Sequence, residues 1–355
     1  MKNNENNEKN LHRLLEITEK RKPDFNNLLK VLNKDIPDRP TLFEFFFNDH
    51  MYENLTGFTM KGKSFFDLNI IKMEAFRNAG FDYFTLSYPE KLVFKTSEHH
   101  TEKSISLNET VIIRTKDDFL DYSWPSIQQC DLTYFDQIKK FIPEGMKAIP
   151  YGPGGVLENV TQLLGYNNLC YMLYDDREFL KEVFDKVGGI LLDYYQTVAG
   201  HDIVGAMIVN DDWGFNTQTM LSADNMREFV IPWHKKIADV IHQSGKKAIL
   251  HSCGQLAEVM DDIIDYIGYD AKHSYEDNIM KVEDAYPWLQ GRIAVLGGID
   301  LDFIYKNDNS AIYERAKKML ELTELKGGYA LGTGNSVPYY IENEKYYSLL
   351  LAALE

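Results

Sequence analysis

Cysteine is scarce in this chain: Cys130, Cys170 and Cys253 are all it has in 355 residues. Three scattered thiols exclude a disulfide framework and fit a reducing compartment. Long apolar runs are missing too. None approaches the roughly 18 to 20 residues that a membrane span requires. The segment Met1–Asn10 is polar with no apolar stretch behind it, so a signal peptide is not expected and the cytoplasm is. Positive charge is also short, with 38 Lys and Arg against 54 Asp and Glu and a net charge of −16. That balance argues against nucleic acid or an anionic membrane as a partner.

What is present is apolar material for a large core, 44% of the chain, in short runs that alternate with amphipathic stretches. Residues 1–38 read as an N-terminal helical extension, helical from Leu11 to Leu32 and closed by the turn Ile36-Pro37-Asp38-Arg39-Pro40. Strands are expected at Thr41–Phe47, Asp82–Leu86, Lys147–Tyr151, Gly205–Val209, Lys246–His251, Tyr269–His273, Ile293–Leu296 and Gly328–Leu331. Eight strands alternating with helices predict an α/β fold, a (β/α)8 TIM barrel over 39–355, with an open doubly wound sheet as the alternative. Asp175 and Glu178 suggest a capping box, Ser222 a helix start running to His242, and Gly245 a left-handed stop. Between the second and third strands, Leu92–Thr96 and Thr110–Thr115 read as a β-rich insertion on a long loop over the catalytic face.

Active sites of such barrels form where strands end, so the residues there are the candidates. They are Tyr151, Gly152 and Glu158 after the third strand and Asp211-Asp212 after the fourth. His251-Ser252-Cys253 ends the fifth, His273 and Glu276 follow the sixth, Gly298 the seventh, and Thr333 and Asn335 the eighth. Along a strand residues i and i+2 share a face, so His251 and Cys253 can converge on one ion. Imidazole and thiolate together suit Zn2+, and Asp211, Asp212, His273, Glu158 or Glu276 could complete the set. By spacing alone a His-x-Cys pair is more often structural. Of the two adjacent aspartates only one can point inward. His99-His100 reads as solvated flap.

The run Asp211-Asp-Trp-Gly214, Lys246-Lys-Ala-Ile-Leu-His-Ser-Cys-Gly254, Gly297-Gly-Ile-Asp300 and Gly332-Thr-Gly-Asn-Ser-Val-Pro338 resembles the uroporphyrinogen decarboxylase superfamily. The likeness covers about 39–355 and is greatest to its cobalamin-linked methyltransferase branch, including the methylcobamide:coenzyme M methyltransferases. The resemblance implies a barrel in which His251 and Cys253 hold Zn2+ with a later cysteine. Here that later position is Thr333, so Glu158 or an aspartate is expected in its place. It implies a methyl group passing between methylcobalamin on a partner corrinoid protein and a small donor or acceptor. The chain has no Asp-x-His-x-x-Gly motif of its own to seat a corrinoid. The expected catalytic residues are Asp211, Asp212 and Tyr151; the expected cofactor-contacting positions are Gly152, Gly298 and Asn335. Two alternatives stand beside this reading. One is a decarboxylase of the uroporphyrinogen type, opposed by the absence of any Arg between Arg39 and Arg77 near the first strand. The other is a non-catalytic barrel that binds a corrinoid or another cofactor.

Overall fold

The computed structural model describes residues 2–96 and 111–355, with side chains from Lys9 onward. Among the described residues seven parallel strands form: β1 (Tyr83–Leu86), β2 (Lys147–Pro150), β3 (Ala206–Asn210), β4 (Lys247–His251), β5 (Ala271–His273), β6 (Ala294–Leu296) and β7 (Tyr329–Ala330). β1 pairs with β2, and β3 to β7 pair in sequence order, all in parallel. Bridges at Ala148–Val204 and Tyr151–Ile208 join the two sheets, and a parallel bridge from Leu42 to Leu331 carries the ring past β7. Helices cross between strands, as parallel connections require. The fold is a (β/α)8 barrel whose strands bury Ala248, Ile249, Leu250, Ala271 and Val295, with Lys272 and His273 of β5 buried among them.

The expected first strand, Thr41–Phe47, shrinks to the single bridge at Leu42. Its main chain finds other partners: Tyr83 Oη accepts from Glu44 N–H and donates to Glu44 O, each at 2.6 Å, and Phe47 N–H donates to Tyr52 Oη. Tyrosine hydroxyls from later elements satisfy groups that a ladder would otherwise bind. Gly332 lies where this segment crosses the end of the eighth position; a Cβ there would collide with the Phe43 carbonyl.

Other expectations shift in detail. The N-terminal helix is two, Lys2–Lys20 and Phe25–Leu32, broken at Pro23 and restarted by the Asp24 cap. Asp176, not Asp175, caps the helix Arg177–Ala199, because Asp175 still ends the helix before it. Ser222 does cap its helix, but a π turn at Met226–Val230 interrupts it before Ile231–Gln243. Pro232 lacks the N–H that would continue regular i to i−4 bonding there. Gly245 is left-handed, as expected.

The β-rich insertion is not strand in its described parts, Leu92–Thr96 and residues 111–115; His99, His100 and Thr110 lie outside the described residues. Its alternating apolar residues serve packing. Leu92 and Ile113 are fully buried, and the N–H groups of Ile112 and Ile113 both donate to Leu163 O.

Candidate metal and active site

His251 closes β4 and Cys253 follows two residues later, so the strand geometry turns both toward the mouth. β3 runs beside β4 with Asn210 opposite His251, which brings the next turn alongside. There Asp212 Oδ1 accepts the N–H of Cys253 at 2.9 Å. One ligand atom each from Asp212, His251 and Cys253 lies within 4.8 Å of the others, the one such group of three among the described residues. Oxygen, nitrogen and sulfur from two adjacent strand ends, β3 and β4, form an open tripod. This is the donor set and number of a catalytic Zn2+ site with a free position.

The histidine tautomers follow from the bonding. His273 Nε2 faces only the Thr333 carbonyl, at 3.3 Å, so it carries the proton and its Nδ1 keeps a lone pair. His251 Nδ1 must then donate to His273 Nδ1, at 2.8 Å, which leaves the His251 Nε2 lone pair free for a metal. Burial keeps both rings neutral, His273 pushed down to about 3 and His251 well below its usual value. Phe45 packs on His251 and Phe43 on His273, fixing both planes.

The Cys253 sulfur accepts from Ser274 Oγ at 3.3 Å and Asn335 Nδ2 at 3.2 Å. Burial, reinforced by the Asp212 carboxylate, pushes the thiol up to about 12. Such a thiol stays protonated at neutral pH unless a cation displaces the proton, and Zn2+ does this.

The two aspartates divide as their adjacency requires. Asp211 is fully buried and accepts from Leu157 N–H, Glu158 N–H and His234 Nε2, while His234 Nδ1 meets Tyr269 Oη at 2.7 Å. It caps the helix Val156–Leu164 from outside that helix, and its full burial keeps it away from the mouth. Asp212 faces the site. Glu158, an expected ligand, is not in the cluster: its carboxylate accepts from Gly155 N–H at 2.8 Å and from the Asp212 main chain. Burial and the charges of Asp211 and Asp212 push it up to about 8. A carboxylic acid that keeps its proton at neutral pH therefore stands beside Asp212. A Cβ at Gly155 would run into the Asp211 carboxyl, so only glycine lets the loop approach so closely.

Tyr151 bonds Ser87 Oγ and lies one ring away, its ring 5.1 Å from Phe45, which itself touches His251. Gly152 N–H is spent on Asn210 Oδ1, and Gly298 N–H on Thr333 O in a left-handed turn. Of the three expected cofactor positions only Asn335 reaches the cluster. It also lines a cavity of about 390 Å³ with Tyr275, Glu276, Asp300 and Tyr340. Thr333 is no ligand. Its hydroxyl lies between the Glu44 carboxyl, 3.0 Å from both oxygens, and Asn335 O.

Three residues escaped the sequence. Ser274 is one of two non-glycine residues with left-handed backbone among those described, at φ 83°. Lys272 is buried, and burial lowers it to about 8. Glu44 is buried under the site and pushed up to about 8. A lysine in the middle of a short barrel strand was a visible signal; the other two gave none.

The sequence model of the family described as uroporphyrinogen decarboxylase (URO-D) matches residues 152–353, more than half of the chain. The chain belongs to the uroporphyrinogen decarboxylase family. Within the matched region lie Asp212, His251, Cys253, Ser274 and Asn335. Among solved structures, a methyltransferase from Methanosarcina mazei shares 14% identity over 92% of this chain and 97% of its own, with a TM-score of 0.69. A xylose isomerase-like TIM barrel protein from Mycobacterium smegmatis shares 12% identity over 90% and 98% at a TM-score of 0.40. No curated protein matches. At 14% identity the Methanosarcina mazei structure speaks for the fold alone of this URO-D family member. Among its described residues no helix is long and apolar enough to cross a membrane.

Proposed function

We propose that this URO-D family member is a cytoplasmic methyltransferase. It would move a methyl group between a corrinoid on a partner protein and a small donor or acceptor, with Zn2+ held by Asp212, His251 and Cys253. The observation that carries this reading is the tripod itself, with the His273–Thr333 chain presenting the His251 Nε2 lone pair to it. The likeness to a protein named a methyltransferase supports it. When bound, the ion supplies Lewis acidity, which favours a thiolate or an improved leaving group at neutral pH.

The chain's own residues supply the rest. Cys253, held by Ser274 and Asn335, offers a sulfur of fixed orientation, and Asp212 brings the anionic oxygen. Glu158, bonded to the Gly155 N–H and to the Asp212 main chain, would steady the turn that carries Asp212. The 390 Å³ cavity beside Asn335 has room for a small reactant, and Phe45 packs between the His251 and Tyr151 rings. A decarboxylase of an eight-carboxylate tetrapyrrole finds no support at the mouth. Arg39 pairs with Asp82 and Lys22 O at the start of β1, the end of the barrel opposite the tripod.

Elemental analysis and a corrinoid assay test the reading together. The expected result is about one zinc per chain and a zinc-dependent change in the absorbance of methylcobalamin with a thiol acceptor. A zinc-free protein that consumes uroporphyrinogen overturns it.

A further inference from the structure

Lys272 is the middle residue of β5, between Ala271 and His273. His273 turns inward to His251, so strand alternation sends Lys272 to the opposite face, into the layer beneath the helices. It is 3% exposed there, in a pocket walled by Leu256, Met260, Met280 and Leu289. A methionine has the length and polarity for that space. An ammonium costs free energy to bury unless it does something a methionine cannot.

What it does is visible in its bonds. Nζ donates to Ser274 O at 2.5 Å and to Ser252 O at 3.3 Å, and stands 4.4 Å from the centre of the Tyr275 ring. Those two carbonyls belong to the two turns that frame the sulfur. Ser252 is the link between His251 and Cys253. Ser274 holds the strained left-handed backbone, and from it the hydroxyl donates to Cys253 Sγ. Such strain persists only where surrounding structure imposes it.

We propose that Lys272 is the positioning residue of the Cys253 corner. By tying Ser252 O to Ser274 O it holds Ser274 left-handed and keeps its hydroxyl on the sulfur. It acts through Ser274 and touches no reacting atom. The inference rests on the reading of Asp212, His251 and Cys253 as ligands. Hydrogen bonds to a ligating sulfur draw charge from it, so the absorption of a bound Co2+ reports their presence without turnover.

The test is Co2+ titration of the full chain, reading affinity and the sulfur-to-metal charge-transfer band. Lys272→Met is expected to bind Co2+ about tenfold more weakly and to shift the band. Ser274→Gly tolerates the left-handed backbone but lacks the hydroxyl, and is expected to give the same shift. The double variant should shift no further, because both changes remove one interaction, and Lys272→Arg should restore the wild-type band. Additive shifts overturn the proposal, as does a Lys272→Met band identical to wild type. If Lys272→Met fails to fold, Ser274→Gly alone decides: an unshifted band overturns the proposal. A wild-type chain that binds no Co2+ overturns the ligand reading and this inference with it, an outcome distinct from all the others.

Discussion

Replacing Glu44 by glutamine should make the protein more stable at high pH and leave it nearly unchanged at low pH. Glu44 is fully buried, and its carboxyl is surrounded by Thr333 N–H and Oγ1, Phe45 N–H and Tyr346 Oη. Burial outweighs these donors and raises the group from 4.5 to about 8. A carboxyl raised on folding binds more protons in the native than in the unfolded state between those two values. Stability from this group is therefore greatest below pH 4.5 and is lost as pH rises toward 8. The full window corresponds to roughly 5 kcal/mol as an upper bound, and about 2 to 4 kcal/mol is a sensible expectation after relaxation. Glutamine copies the protonated carboxyl: its oxygen accepts from Thr333 and its amide donates where the acid proton would. Thermal unfolding followed by circular dichroism at pH 6 and pH 9 measures the effect. With a chain this long, about 3 kcal/mol moves the midpoint by roughly 4 °C. The variant should match wild type at pH 6 within a degree or two and exceed it by about that amount at pH 9. An identical fall in midpoint from pH 6 to pH 9 in both proteins would refute the reasoning.

Further outcomes concern the residues behind the tripod. His273→Phe removes the acceptor that fixes the His251 tautomer and should weaken zinc binding by about 10- to 100-fold in a chelator competition; unchanged affinity would refute the proton assignment. His234→Phe leaves Asp211 buried with only helix N–H partners and should cost about 3 to 5 kcal/mol in urea unfolding. Zinc content should stay at the wild-type level, because Asp211 is not a ligand. A loss below about 1 kcal/mol would mean that the Tyr269–His234–Asp211 chain does not bear on stability.

Much of this was legible because strand periodicity is strict. The runs of β-branched and apolar residues marked β1 to β7 within a residue or two, and the i, i+2 rule brought His251 and Cys253 to one place. The first strand misled because Phe43 to Phe47 reads as strand while its main-chain groups are claimed by Tyr52, in the helix just after it, and by Tyr83, far along the chain. The choice among Asp211, Asp212 and Glu158 could not be made from spacing. It depends on which carboxylate the N-terminus of the helix Val156–Leu164 takes, and that helix takes Asp211. The absence of sulfur at Thr333 was readable, but not that its hydroxyl is committed to Glu44. Ser274 and Lys272 belong to the same class: their roles come from a left-handed turn and a pair of carbonyls that only the folded chain assembles.

The central claim is that Asp212, rather than Glu158, completes the site of His251 and Cys253. Zinc affinity by chelator competition in Asp212→Ala and Glu158→Gln measures this directly. Asp212→Ala should bind about 100-fold more weakly than wild type, and Glu158→Gln should stay within about threefold. Wild-type affinity in Asp212→Ala, or loss of zinc in Glu158→Gln, would contradict the account.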